Sequence, residues 1–182
     1  MNSVIDKKCS VVRDATAADM TSIHKIYTYE VLHGLATFEE IPPGVDEMNS
    51  RWASIRNQGL PYLVAEIEGR VVGYSCASSY RSRPAYQNTI EDSVYVEQES
   101  FGLGIGTSLL SELINRCELL RLGQMVAVIG DSDNIGSITL HRRLGFRMVG
   151  TLEAVGFKLG RWVDTVLMQR AIGVKELDKP GN

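Results

Sequence analysis

The stretch VYVEQESFGLGIGT, residues 94–107, decides how this 182-residue sequence folds. An apolar run typical of a strand comes first, three glycines follow at alternate positions, and an amphipathic helix begins at Ile105. At such a junction, glycine lets a ligand approach the backbone, and the first N–H groups of the helix point outward with the positive end of its dipole. The junction predicts an anion site that could hold a diphosphate without a basic side chain.

Several interpretations of this Gly-rich turn compete. A Walker loop needs Gly-Lys-Ser/Thr, and the lysine is absent here. A dinucleotide fingerprint needs a third glycine where Thr107 stands, and it follows the first strand of its unit, whereas this turn lies past the middle of the chain. Two interpretations remain open from the turn alone: a site for the pyrophosphate arm of coenzyme A, and a strand-to-helix connection that binds nothing.

Working outward from the turn, periodicity predicts a single-domain α/β fold with a mixed central sheet of six to seven strands flanked by about four helices. The order is β-α-α-β-β-β-α-β-α-β-β. Strands are predicted at 9–13, 62–67, 70–79, 90–96, 125–129, 146–152 and 164–170, and helices at 16–31, 45–58, 105–120 and 134–144. Residues 10–172 form the domain, between an N-terminal extension (1–9) and a polar tail (173–182).

Composition narrows the function classes. Lysine and arginine number 19 against 22 acidic residues, a net charge of −3, and this weakly acidic chain has no basic stripe for nucleic acid. No stretch is long and apolar enough to span a membrane, and residues 1–10 do not resemble a secretory signal. Three scattered cysteines and three scattered histidines form neither a disulfide framework nor a metal site. We therefore expect a cytoplasmic protein with reduced thiols and no metal.

Four segments together resemble the GNAT acetyltransferase superfamily: VYV at 94–96, the glycines at 102–106, AVIGDSDN at 127–134 and SITLHRRLGF at 137–146. The sequence is more similar still to the phosphinothricin/methionine sulfoximine N-acetyltransferase branch, through the pair Thr37-Phe38, YRSRPAY at 80–86, EDSVYV at 91–96 and GFKLGRWVD at 156–164. The resemblance covers roughly residues 10–172. One departure is Phe101, where the superfamily usually has Gln or Arg; the change removes a polar contact to phosphate and leaves the backbone amides intact.

The resemblance implies acetyl-CoA as co-substrate and no metal. Its pantetheine arm pairs like an extra strand along Val94 and Val96, its pyrophosphate lies on the N–H groups of 102–107, and Asn134 holds the pantetheine or nearby backbone. The implied cofactor-binding residues are Val94, Tyr95, Val96, Gly102, Leu103, Gly104, Ile105, Gly106, Thr107 and Asn134. Many relatives have a tyrosine facing the sulfur seven residues after this asparagine, where the present sequence has His141.

The chemistry at the amine requires a base, because an α-amine is largely protonated at neutral pH. Glu91 matches the base proposed for the branch; without the resemblance it would be a solvated carboxylate at a strand end. Asp92 points to the opposite face of the strand and is the weaker candidate. His141 is a candidate to protonate the leaving thiolate or to help deprotonate the amine, and the alternative is a histidine packed in a helix.

The substrate pocket is predicted from a loop rich in arginine. Arg81 and Arg83 share a face if the loop is extended, and their guanidinium groups could grip the carboxylate of an amino acid near Glu91. The alternative is a solvated basic loop. The resemblance adds Ser82 and an apolar wall at Phe38. Three residues in a glycine-rich loop could reach a partner subunit or a polar substrate end, or lie on a surface hairpin: Lys158, Arg161 and Trp162.

These observations favour an N-acetyltransferase that moves an acetyl group from acetyl-CoA to the α-amine of a small amino acid or analogue of the phosphinothricin, methionine sulfoximine or methionine sulfone type. A GNAT enzyme for a different amine, such as a polyamine, an aminoglycoside or a protein N-terminus, is the alternative. A coenzyme A sensor without turnover is a third possibility, and a nucleic-acid or membrane module ranks last. The resemblance also implies a homodimer.

Overall fold

Seven strands form one mixed sheet in the order β1-β2-β3-β4-β5-β7-β6. The computed structural model describes residues 10–173, so the predicted extension (1–9) and the predicted tail beyond residue 173 lie outside the described residues. The strands are β1 Val11–Asp14, β2 Tyr62–Ile67, β3 Arg70–Ser79, β4 Thr89–Val96, β5 Gln124–Gly130, β6 Arg147–Lys158 and β7 Arg161–Ala171. The predicted α/β class, strand count and element order are confirmed.

Four α-helices cover the two faces of this sheet: α1 Met20–His33, α2 Val45–Asn57, α3 Ile105–Leu119 and α4 Ile135–Arg143. The chain enters α1 through a short 3₁₀ turn with the predicted capping arrangement, in which the Thr16 backbone N–H donates to Asp19 Oδ2 at 2.8 Å. Within residues 10–173, no helix has both the length and the apolar character needed to cross a membrane.

Two apolar clusters hold the layers together, one on each face of the sheet. The larger lies under α3 and α4 and contains the predicted α3 stripe, whose members Leu109, Leu110 and Leu113 are fully buried. The smaller lies under α1 and α2 and includes the stacked rings of Tyr62, Tyr74 and Tyr95. Burial of these side chains supplies most of the driving force for folding and fixes α3 against the sheet.

β4 and β5 are the one parallel neighbouring pair among the described strands, and they pair only at their beginnings. Their register runs from Thr89 opposite Gln124 to Asp92 opposite Ala127. Beyond this point, residues 93–96 of β4 and 128–130 of β5 make no pairing with each other, while each strand stays paired to its other neighbour. A gap therefore opens in the middle of the sheet.

The β6–β7 hairpin is longer than the sequence predicted. The strands were expected at 146–152 and 164–170, but pairing continues to Lys158 opposite Arg161, with a two-residue turn at Leu159 and Gly160. The predicted glycine-rich loop is thus the end of this hairpin, whose register shifts twice, between Met148 and Gly150 and between Leu152 and Gly156. Period-two alternation failed to indicate the extension of the hairpin toward its turn because β6 is exposed on both faces along most of its length.

We expect Leu113→Ala to lower the free energy of unfolding by about 3 kcal/mol, because the substitution leaves a cavity that the packed layers cannot close. Urea denaturation followed by circular dichroism measures the change. Leu119→Ala is the matched control on the same helix: Leu119 is 74% exposed, and its truncation should alter stability by no more than about 0.5 kcal/mol. Similar losses in both variants would contradict the placement of α3.

Candidate active site between β4 and β5

Two cavities meet where the central strands separate. The first has a volume of about 340 Å³ and lies against the start of the gap; the second, of about 640 Å³, extends from the gap to the N-terminus of α3. Six residues line both cavities and so mark the place where they join: Ala36, Val94, Tyr95, Gly130, Asn134 and Ser137. A long ligand in the second cavity can therefore present one end to a small ligand in the first.

The backbone of β4 faces the gap at alternate residues. Glu97 N–H donates to Val72 O at 2.8 Å, so in the antiparallel ladder with β3 the polar groups of residues 95 and 93 also point toward β3. Those of Val94 and Val96 point the other way, into the gap. The two residues that the resemblance singled out thus offer unpaired N–H and C=O groups to an extended ligand.

The glycine-rich junction has six backbone N–H groups without a partner among residues 10–173, those of 102–107. Gly102 and Gly104 have φ of 78° and 83°, a left-handed backbone conformation that is unfavourable for residues other than glycine. These two glycines turn the chain sharply into α3. Of the predicted residues of this junction, all but Leu103 line the larger cavity; Leu103 is exposed to solvent. Phe101, the departure from the superfamily pattern, lines it as well.

Asn134 lies at the junction of the cavities and caps α4. Its Oδ1 accepts from Ser137 N–H at 3.1 Å, and its side-chain NH₂ has no partner among residues 10–173. The cap holds this side chain in the wall of both cavities, which Val94 of β4 also lines. The role that the resemblance implied for Asn134 stays a prediction.

Glu91 is half-buried in the wall of the smaller cavity, where Tyr27 and Phe38 also lie. Burial raises the pKa of its carboxyl group above the ordinary 4.5, and the nearby negative charge of Asp92 raises it further, whereas Arg81 lowers it. A carboxylate with a raised pKa is a stronger base than a solvated one. The geometry therefore fits the predicted base better than a solvated strand end.

His141 is buried and has both ring nitrogens engaged. Nδ1 lies 2.7 Å from Ser137 O, and Nε2 lies 2.9 Å from Asp92 Oδ2. Asp92 lies on the face opposite Glu91, as strand alternation predicted, but there it meets His141 at the cavity wall instead of pointing away from the site. A direct role of His141 as acid or base would require one of these hydrogen bonds to break. The sequence carried no signal for this pair because 49 residues separate its members.

The predicted carboxylate clamp is exposed. Arg81, Ser82 and Arg83 line neither cavity, and of the three only Arg81 is close enough to Glu91 to lower the pKa of its carboxyl group. The Arg81 guanidinium lies over the Tyr80 ring, 5.1 Å from its centroid. Neither arginine forms an ion pair with any residue in the described part of the chain.

The segment 35–38 forms the wall opposite β4, and three contacts that the sequence did not predict hold it in place. Gly130 permits its approach, since a Cβ there would lie 1.9 Å from Leu35 O, and Gly156 lies against the ring of Phe38 in the same way. Lys158, which is 2% exposed, donates from Nζ to Thr37 O at 2.7 Å and to Glu30 O. Lys158 therefore positions this wall, and it does not reach outward as the sequence suggested.

Comparison with known proteins agrees with this geometry. The model of the acetyltransferase (GNAT) domain family matches residues 12–167. A phosphinothricin N-acetyltransferase of Alcaligenes faecalis is 48% identical over 170 residues, covering 93% of this chain and 85% of that protein. An L-methionine sulfoximine/L-methionine sulfone acetyltransferase of Pseudomonas paraeruginosa is 40% identical over 159 residues, covering 87% of this chain and 92% of that protein.

A solved structure is similar over almost its whole length. The crystal structure of a GNAT superfamily phosphinothricin acetyltransferase from Sinorhizobium meliloti, in complex with AcCoA, superposes with a TM-score of 0.91 at 49% sequence identity, covering 94% of this chain and 93% of that one. The gap between β4 and β5, the bare amides before α3 and the family match over residues 12–167 together place this chain in the GNAT acetyltransferase family.

Proposed function

We propose that this protein transfers the acetyl group of acetyl-CoA to the α-amine of a small amino acid or analogue of the phosphinothricin, methionine sulfoximine or methionine sulfone type. The observation that carries the proposal is the position of Glu91: a half-buried carboxylate in a cavity that joins, at the gap in the sheet, a longer cavity ending on bare backbone amides. Relatives that act on these compounds, 48% and 40% identical over most of their length, support the choice of substrate.

The larger cavity suits the co-substrate. The unpaired N–H groups of residues 102–107 would hold the diphosphate, and the positive end of the α3 dipole would favour its charge. The pantetheine arm would follow the backbone of Val94 and Val96, with the free amide donor of Asn134 beside it. The thioester would then lie at the junction of the cavities, next to Tyr95.

The reaction begins with removal of a proton from the substrate ammonium group. Glu91 accepts this proton, directly or through one water, and the free amine attacks the thioester carbonyl. Negative charge develops on the carbonyl oxygen, where a backbone N–H of Val94 or Val96 can stabilise it by roughly 3–4 kcal/mol. The carbon–sulfur bond breaks, the nitrogen gives up its second proton as the amide forms, and the coenzyme A thiolate takes up one proton. The products are the N-acetylated amino acid and free coenzyme A thiol.

The exposed arginines at the cavity mouth favour an anionic substrate. Arg81 is close enough to Glu91 to lower the pKa of its carboxyl group, and neither Arg81 nor Arg83 pairs with a carboxylate of the described chain. An amino acid carries its carboxylate next to its amine, so these guanidinium groups could hold one while Glu91 acts on the other. Polyamines and aminoglycosides would need an acidic mouth instead, and this observation counts against them.

Glu91→Gln should lower kcat by about 10²–10⁴-fold with methionine sulfoximine as substrate, because the isosteric amide cannot accept the proton. Release of free thiol from acetyl-CoA measures the rate. The kcat/KM of the wild type should rise as pH increases through the Glu91 pKa, above pH 4.5, and this limb should be absent in the variant. Glu47→Gln, on the exposed surface of α2, is the matched control. A Glu91→Gln rate equal to that of the wild type would remove Glu91 as the base.

Arg81→Ala should raise KM for the amino-acid substrate by roughly 10- to 100-fold and leave KM for acetyl-CoA unchanged, since charge-assisted hydrogen bonds to a carboxylate would be lost. Steady-state kinetics with the substrate and its carboxamide separate this effect from a general disturbance. The carboxamide should be a poor substrate of the wild type, and its KM should rise little further in the Arg81→Ala variant. If Arg81→Ala raised KM equally for the amino acid and for its carboxamide, that result would contradict the carboxylate clamp. Arg56→Ala on α2 serves as the control variant.

The proposal includes a homodimer in the cytoplasm. β6 lies at the sheet edge, and its hairpin exposes a row of large apolar side chains: Met148, Val149, Leu152, Val155, Phe157, Leu159 and Trp162. Such a surface, beside an unpaired strand edge, is typical of an interface. Among described residues, Cys76 and Cys117 are free and buried, which suits the reducing cytoplasm.

Val155→Glu should weaken self-association by about 10-fold or more, because burying an unpaired carboxylate in an interface is unfavourable. Sedimentation velocity over a range of concentrations measures the effect. Val11→Glu, on the opposite edge strand β1 and similarly exposed, should sediment like the wild type. A monomeric wild type at micromolar concentration would contradict the dimer.

A further inference from the structure

The hydrogen bonds of His141 imply a charged ring. Nδ1 contacts the carbonyl oxygen of Ser137, and a carbonyl can only accept, so Nδ1 carries a proton. Nε2 lies 2.9 Å from Asp92 Oδ2, so one proton lies between these two atoms. Burial alone lowers the pKa of His141, but the hydrogen bond and negative charge of Asp92 more than offset this and raise it above 6.5. Asp92 and His141 therefore form an ion pair.

This pair lies in surroundings where charge is unfavourable. Asp92 is 6% exposed and His141 is 3% exposed, and the edge of the His141 ring packs on Phe146 with centroids 5.0 Å apart. A buried ion pair seldom stabilises a fold more than apolar side chains of the same size would. Its presence at the wall of the reaction cavity, and not elsewhere in the core, points to a role in the chemistry.

One oxygen of the pair is left without a partner. Asp92 Oδ1 is fully buried and makes no hydrogen bond to any described residue. Besides His141, three titratable groups lie close enough to be influenced by the charge of Asp92: Glu91 on the same strand, Cys76 from β3 and Cys117 from α3. The thiols stay neutral because burial raises the pKa of each to about 12. Glu91 is thus the neighbour whose ionisation Asp92 can influence near neutral pH, with Arg81 opposing it from the cavity mouth.

We propose that Asp92 is a positioning residue for the acetyl transfer proposed above: it fixes the His141 ring between β4 and α4, and it places a negative charge beside Glu91. The contact joins His141 Nε2 to Asp92 Oδ2 at 2.9 Å. Asp92 in turn makes Glu91 a stronger base for the amine proton. One hydrogen bond of His141 goes to Ser137 O, in the first turn of α4, and the other goes to Asp92 on β4. Since Ser137 N–H donates to Asn134 Oδ1, the two bonds connect β4 to the junction of the cavities.

Asp92→Asn tests this role, because the amide oxygen can still accept from His141 Nε2 while the charge is lost. The acid limb of kcat/KM against pH should move to lower pH, since Glu91 loses the neighbour that raises its pKa. The plateau should fall by about 10-fold, because a weaker base removes the proton more slowly. KM for acetyl-CoA should change little. Asp46→Asn removes the same charge from the exposed start of α2 and should change neither limb nor plateau.

A merely structural role of Asp92 would lower the plateau without moving the acid limb, and that result would overturn the proposal. A second measurement does not depend on the variant folding or on turnover. Nitrogen-15 NMR of histidine-labelled wild type at pH 7, with His141 assigned by its loss in His141→Gln, should show both ring nitrogens of His141 protonated. A neutral ring would also overturn the proposal, whereas a charged ring in a protein that releases no thiol would count against the acetyl transfer alone.

Discussion

β4 and β5 hydrogen-bond to each other only as far as Asp92 and Ala127, and the rest of the site depends on this early separation. Beyond it, the backbone of Val94 and Val96 faces a gap, although polar groups of the main chain strongly favour a partner when they are buried. An extended ligand with its own amide groups can supply these bonds. The gap also opens a passage between the two faces of the sheet, so Glu91 and Asp92 can act at one place from opposite sides of one strand.

The separation is supported from outside the two strands. β5 continues in register with β7 up to Gly130 opposite Thr165, while β4 continues with β3, so each strand is held by its other neighbour. The segment 35–38 packs across the open end, where Gly130 admits the carbonyl of Leu35 and Lys158 binds the carbonyl of Thr37. The long β6–β7 hairpin thus has a role far from its exposed surface, because its end positions the wall of the reaction cavity.

The charges are arranged on the two faces in a way that suits transfer of an acyl group. On one face, Glu91 is half-buried near the exposed arginines of the 81–83 loop, which leaves it able to receive a proton from a small ammonium substrate. On the other face, the charges of Asp92 and His141 offset each other in the proposed ion pair inside the protein. Unpaired amides at the start of a helix can bind an anion without a cationic side chain, so Phe101 is compatible with the proposed phosphate site despite its lack of a polar group.

The local patterns of this sequence are strong where one face of an element is buried and the other is not. The α3 stripe could be predicted for that reason. The capping arrangement at Thr16 and the β2–β3 hairpin, whose strands are buried on both faces, were predicted from their capping and turn residues. The ends of β6 and β7 could not, since β6 is exposed on both faces and shows no alternation. Candidate residues near a recognisable motif, such as Glu91 and Asn134, were predicted, while Lys158 was placed on the surface although it is buried.

By itself, the sequence determined the α/β class, the order of the elements and the glycine-rich turn that leaves amides bare, because each of these depends on neighbours within a few residues along the chain. The tertiary structure alone decided where β4 leaves β5, that Asp92 meets His141, and that Lys158 binds the 35–38 wall. Those contacts join residues between 35 and 121 positions apart. They exist only because packing of the helices on both faces brings distant segments together, and no local period in the sequence records them.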